Sequence, residues 1–290
     1  MRRAAAVLAA LCLVSCKGEV VHQSRRGAPA ESGVAVAAAE VPTVSWASLA
    51  HARIYFGHQS VGRNVIEGLR ELNASEPGNP VTFATLHEAA ATPDAPLLAE
   101  FAIGENGKPE TKMQGFAAAL DSLPGDARGV AMFKYCFLDI TAQTDAAALF
   151  ARHQAAVAAM RARHPGLTWV HVTAPLTVDE PASRRLVKSL LGKPTARDAN
   201  ARRSAFNALL RRAYAGEPML DLARLESTRP DGSRTFVMSG RDTVYVLAPE
   251  LTDDGGHLNA TGRRIAAAEF ANVVAAASRS EALAIANAPR

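Results

Sequence analysis

From Arg53 to Ala277 the chain alternates short apolar runs with longer segments whose apolar residues fall at helical spacing. That alternation constrains the fold more than any other feature. Strands joined through helices run parallel, because each crossover returns the chain to the same end of the sheet. The strand-like runs are 54–56, 81–86, 97–103, 129–135, 167–173 and 218–223. Helices are predicted from Ser60 onwards, at 110–123 (ended before Pro124), 144–163 (stopped by Pro165), 199–214 and 260–277. The pattern predicts one α/β domain, a three-layer α/β/α sandwich around a parallel sheet of about five strands. Ligands of such sheets bind outside the carboxyl ends of the strands. The polar, glycine-bearing ends belong to the first three: Gly57-His-Gln-Ser60, Gly104-Glu-Asn-Gly107 and Tyr135-Cys136.

The N-terminus is a different kind of segment. Met1-Arg-Arg followed by an apolar stretch over 4–14 is too short to span a bilayer and has the layout of a secretory signal. It closes on Leu13-Val-Ser-Cys16, which resembles the bacterial lipoprotein signal, where the cysteine becomes the lipidated first residue. The rival reading is an ordinary signal that happens to end near a cysteine. The expected organisation is a signal over 1–16, a flexible tether over 17–43, the α/β domain over 44–278 and a tail over 279–290. Lipid on Cys16 would make the membrane a partner. It implies an exported protein anchored in the cell envelope, with Lys17 leaning towards the outer membrane. With Cys12 lost and Cys16 lipidated, Cys136 stands alone, so the mature chain has no disulfide framework. Net charge is +4, carried mostly by arginines scattered through helices. No basic stripe interleaved with aromatics appears, so no nucleic-acid partner is expected. Oligomeric state is not legible.

Two stretches carry chemistry. In the first, strand, Gly57 turn, Ser60 and helix follow in that order, which places a hydroxyl at a strand's carboxyl end and a helix N-terminus. Ser60 is either a helix cap or a nucleophile. In the second, Asp254-Gly-Gly-His257 sets a carboxylate and an imidazole three residues apart, just before the last helix. The glycines allow the backbone to turn both side chains one way. A carboxylate on Nδ1 would leave Nε2 free to take a proton from a serine, with Asp253 as the alternative orienter. His58, at the predicted rim, either binds substrate or caps a loop. His171 reads as a sheet residue, and His51 and His87 lack partners at a ligand spacing, so no metal site is expected. No nicotinamide or flavin signature is present either, and no cofactor is expected. Around Ser60 the Gly-x-Ser-x-Gly motif of α/β-hydrolases is missing, since His58 holds its first position.

Together the two stretches resemble the SGNH/GDSL hydrolases over most of residues 50–276. Asp254-Gly-Gly-His-Leu-Asn-Ala-Thr-Gly matches that family's last motif closely. The resemblance implies a flavodoxin-like sandwich, with Ser60 as nucleophile, His257 as base and Asp254 as orienter. It also implies Gly107, or else Gly104, as the oxyanion glycine. Two motifs depart from the family. Gly57-His-Gln-Ser60 replaces Gly-Asp-Ser, and Tyr135-Cys-Phe-Leu-Asp139 replaces Gly-x-Asn-Asp, removing an amide donor for which Asn106 is the candidate substitute. The expected function is a lipid-anchored serine esterase acting through an acyl-enzyme on a small-molecule or glycan ester. An O-acetyl group on a cell-surface glycan is one candidate substrate. The alternative is an inactive member of the fold serving as a binding or structural module of the envelope.

Overall fold

The computed structural model describes residues 41–229 and 231–286. Cys16, the predicted signal and nearly all of the predicted tether lie outside the described residues. The central sheet is parallel throughout and contains β1 (Arg53–His58), β2 (Phe83–Ala84), β3 (Leu97–Ala102), β4 (Gly129–Phe133) and β5 (Leu167–Trp169), in the order β2-β3-β1-β4-β5. After β5 the Val170 N–H still donates to the Ala131 carbonyl, and the chain continues as β6 (His171–Val172), which pairs in parallel with β7 (Met219–Leu220). With β5 and β6 read as one interrupted strand and the two-residue β2 set aside, the strand order is 2-1-3-4-5, the flavodoxin-like arrangement.

Side-chain alternation divides the core into two layers. Ile54, Phe56, Val130 and Met132 face one side of the sheet, against α1 (Trp46–Leu49), α2 (Val61–Ala74), α8 (Leu222–Glu226) and α9 (Ala260–Ala286). Tyr55, Ala99, Ala131 and Phe133 face the other, against α3 (Leu86–Ala91), α4 (Pro109–Asp121), α5 (Ala146–Arg163) and α7 (Ala196–Ala213). The fold is therefore the expected three-layer sandwich. Helix starts follow their side chains: Thr85 and Thr195 form reciprocal capping boxes with Glu88 and Asp198, and Asp145 caps α5.

Several elements depart from the pattern read in the sequence. The run over 81–86 pairs only at Phe83–Ala84 before α3 begins. The polar connection after β6 contains α6 (Ala182–Leu190), none of whose side chains is buried. An antiparallel hairpin, β8 (Phe236–Ser239) and β9 (Asp242–Tyr245), follows α8. Helix α9 continues past its predicted end at Ala277 to Ala286.

Candidate active site

The order of the strands reverses between β1 and β4, and that switch point is where parallel α/β sheets open a crevice. Ser60 follows β1 there. It has φ 53° and ψ −114°, a region that L-residues rarely occupy and that stores strain at functional turns. Its side chain does not cap α2. Instead Oγ lies 2.5 Å from His257 Nε2, and His257 Nδ1 lies 2.6 Å from Asp254 Oδ2. The carboxylate that meets the imidazole is Asp254's, not Asp253's.

Local sequence explains the posture of Asp254 and His257. The loop is closed at its base by a bridge between Thr252 and Leu258. Within it, Asp254 Oδ1 accepts the N–H groups of His257 at 2.8 Å and Gly256 at 2.9 Å, leaving Oδ2 for the ring. These bonds, with the backbone N–H of His257 foremost and its side chain next, hold the Asp254 carboxyl well below the usual carboxylate range. Gly255 needs its left-handed φ of 87°, and a Cβ on Gly256 would press at 3.0 Å on the Phe137 ring. Phe137 in turn meets the His257 ring edge-on at 5.5 Å.

Residues 197 positions apart meet because the helices that follow them pack closely. A Cβ on Gly68 of α2 would lie 2.4 Å from the Arg263 carbonyl oxygen of α9, so only glycine permits that approach. Asn64 Oδ1 accepts the N–H of Leu258, and Arg263 pairs with Glu67 at 3.1 Å and Glu71 at 3.3 Å. These contacts tie the two halves of the site.

The loops expected to stabilise an oxyanion are engaged in other bonds. Gly107 N–H donates to Asp139 Oδ1 at 2.7 Å, and Cys136 N–H donates to Asp139 Oδ2 at 2.7 Å. Asn106 Oδ1 accepts from the buried Lys112 Nζ at 3.0 Å. The Gly104 carbonyl accepts from the Gln59 amide, and its φ of 51° belongs to a site where a Cβ would strike Thr111. His58 differs from its predicted place at the rim. It is buried beneath α2, with Nε2 on Glu100 Oε2 at 2.9 Å, and burial lowers its pKa despite that carboxylate.

Sequence reading passed over Lys134, which is 1% exposed. Burial lowers its pKa, while Cys136, Asp139 and Glu226 oppose that shift. Its Nζ donates to the Gln59 carbonyl at 2.9 Å, the oxygen of the peptide whose N–H belongs to Ser60. A hydrogen bond from an ammonium to that oxygen polarises the peptide and strengthens its N–H as a donor. The only signal was a lysine at the end of the apolar run Gly129-Val-Ala-Met-Phe.

Fold and site define the class at this level: a parallel α/β/α sandwich with a hydrogen-bonded Ser–His–Asp chain at its switch point. No protein-family model matches the chain, and no curated protein matches it. Among solved structures it is similar to an acetyl xylan esterase, AlAXEase, at 17% identity and TM-score 0.43, covering 75% of this chain and 96% of that one. It is similar to a candidate SGNH hydrolase from Slackia heliotrinireducens at 17% identity and TM-score 0.38, covering 76% and 96%. The OSK domain of Drosophila Oskar also matches, at 12% identity and TM-score 0.36, covering 67% and 87%. Likenesses of this depth carry no argument about chemistry, which rests on the site.

Proposed function

We propose that this protein is a serine hydrolase of SGNH type that cleaves carboxylic esters through an acyl-enzyme. The observation that carries the proposal is the continuous chain from Ser60 Oγ through His257 to Asp254, with Ser60 in a strained backbone conformation. In the proposed mechanism His257 Nε2 takes the Ser60 proton as Oγ bonds to the substrate carbonyl carbon. The resulting imidazolium gives that proton to the departing alcohol. Water, deprotonated by the same nitrogen, then attacks the acyl-enzyme, and Ser60 recovers its proton as the acid leaves. Asp254 holds the imidazole with Nδ1–H towards it and stabilises the imidazolium. The Ser60 N–H, polarised through Lys134, is the first oxyanion donor in this scheme.

His257 and Asp254 are 42% and 57% exposed, so the site opens directly to solvent. That suits an ester displayed on a large polymer better than a small molecule that must be enclosed. We accordingly propose O-acetyl groups on an envelope glycan as the substrate class, with the enzyme exported and anchored through lipid on Cys16. The engagement of Gly107 N–H by Asp139 favours the second reading, a binding module in which the oxyanion site is closed. Kinetics on a small aryl acetate separate the two. Ser60→Ala and His257→Ala should each remove most of the hydrolysis, and the double variant should lose little more, because groups acting as one unit are not additive. Undiminished hydrolysis in Ser60→Ala would exclude the mechanism.

A further inference from the structure

A cavity of about 350 Å³, lined by none of Ser60, Asp254 and His257, lies between α7, α8 and the β8–β9 hairpin, with Leu176 in its lining. Three guanidinium groups line it, those of Arg211, Arg224 and Arg234, against one carboxylate, Asp221. Both oxygens of Asp221 are taken by Arg211, at 2.6 and 2.7 Å, so this pair is internally neutral. Neither Arg224 nor Arg234 has a carboxylate within 4.0 Å among the described residues. Arg234 is nevertheless held in place. Its Nε and Nη2 donate to the buried Ser227 Oγ at 3.2 and 2.7 Å, and its guanidinium lies 4.1 Å over the Tyr245 ring. Ser227 is itself fixed by donating to the Ala223 carbonyl at 2.6 Å. Burial lowers the Arg234 pKa; Tyr245 and Asp221 oppose that shift, and the neighbouring Arg224 and Arg211 add to it. A preset, partly desolvated guanidinium beside a second unpaired one is the arrangement that recognises carboxylate and phosphate oxygens in pairs.

We propose that this cavity is a binding site for a small molecule bearing a carboxylate or phosphate group, its oxygens held between Arg234 and Arg224. The volume accommodates a body of monosaccharide size, and Leu176 and Ala223 supply apolar wall. The site is independent of ester hydrolysis, since none of its residues belongs to the Ser60–His257–Asp254 chain.

The test is isothermal titration of the full chain with three probes: glucuronate, glucose 1-phosphate and glucose. The two anions should bind and the neutral sugar should not. Preference between the anions identifies which oxyanion the site takes. Arg224→Ala should weaken anion binding at least about tenfold, as loss of a charge-assisted hydrogen bond requires. That residue is exposed, so folding is not at stake. Arg234→Lys keeps the charge but loses the two bonds to Ser227 that hold the group in place, and it too should weaken binding, while Ser60→Ala should leave it unchanged. Equal heats from all three probes, no binding of either anion, or full anion affinity in Arg224→Ala would overturn the proposal.

Discussion

Gly68→Ala adds a single methyl far from the chemistry and tests how the site is assembled. The new Cβ would lie 2.4 Å from the Arg263 carbonyl oxygen, 2.7 Å from its carbon and 3.0 Å from the Ala267 methyl. Even a favourable carbon–oxygen contact needs roughly 3.3 Å, so α2 and α9 must separate by about 1 Å. Backbone atoms on α9 cannot swing aside as a flexible side chain would. Overpacking of this kind costs about 1–3 kcal/mol of stability. The larger effect should be on rate. Helix α2 starts just after Ser60 and α9 just after His257, so spreading them lengthens the 2.5 Å contact between nucleophile and base. A displacement near 1 Å can cost on the order of 10²-fold in rate. The assay is kcat on an aryl acetate beside thermal unfolding, with Gly125→Ala as control because nothing lies within 4 Å of its added Cβ. A folded Gly68→Ala variant with wild-type kcat would show that the α2–α9 approach does not set the Ser60–His257 distance.

Other perturbations probe separate parts of the account. Asp254→Asn keeps an oxygen for the loop N–H groups but turns the ring partner from acceptor to donor, and kcat should fall by about 10²–10⁴-fold with circular dichroism unchanged. Lys134→Met removes the ammonium from the Gln59 carbonyl; kcat should drop roughly 10–10²-fold with KM little altered, and the unfolding temperature should fall because that carbonyl and the nearby Asp139 and Glu226 lose a buried partner. Unchanged kcat there would remove Lys134 from the mechanism. His153 Nδ1 shares a hydrogen bond with the Tyr135 hydroxyl at 3.1 Å, and burial pushes the imidazole pKa down to about 3. The unfolded chain takes up a proton below about pH 6.5 and the folded one does not, so its contribution is complete above that pH and is lost as pH falls towards 3. About 2 kcal/mol should disappear by pH 5, and urea midpoints for His153→Gln should show that much less acid sensitivity.

The sheet was legible because strands covered on both faces read as continuous apolar runs, as in Ile54, Tyr55 and Phe56, whose side chains go to opposite layers. The encounter of Ser60 with the Asp254-Gly-Gly-His257 loop was implied by the resemblance to the SGNH hydrolases, while placement at a strand end left Ser60 open as cap or nucleophile. Hydrogen-bond commitments were not legible. Nothing in Gly104-Glu-Asn-Gly107 says that Asp139, distant in sequence, takes the Gly107 N–H, or that Lys112 holds Asn106. Burial of His58 was hidden for the same reason, because its partner Glu100 comes from β3. The β8–β9 hairpin left a visible trace, a two-residue turn at Gly240-Arg241 between alternating runs, and Gly240 takes φ 62° there. Helix α6 left none in a search for buried faces, since it buries nothing.

Whether Ser60 is an activated nucleophile is read straight from covalent labelling. The full chain is incubated with a fluorophosphonate probe across pH, and intact mass and peptide mapping identify the adduct. A single adduct on Ser60 is expected, abolished in Ser60→Ala and strongly slowed in His257→Ala. An unlabelled, folded wild-type protein, or an adduct that persists in Ser60→Ala, would contradict that role for Ser60.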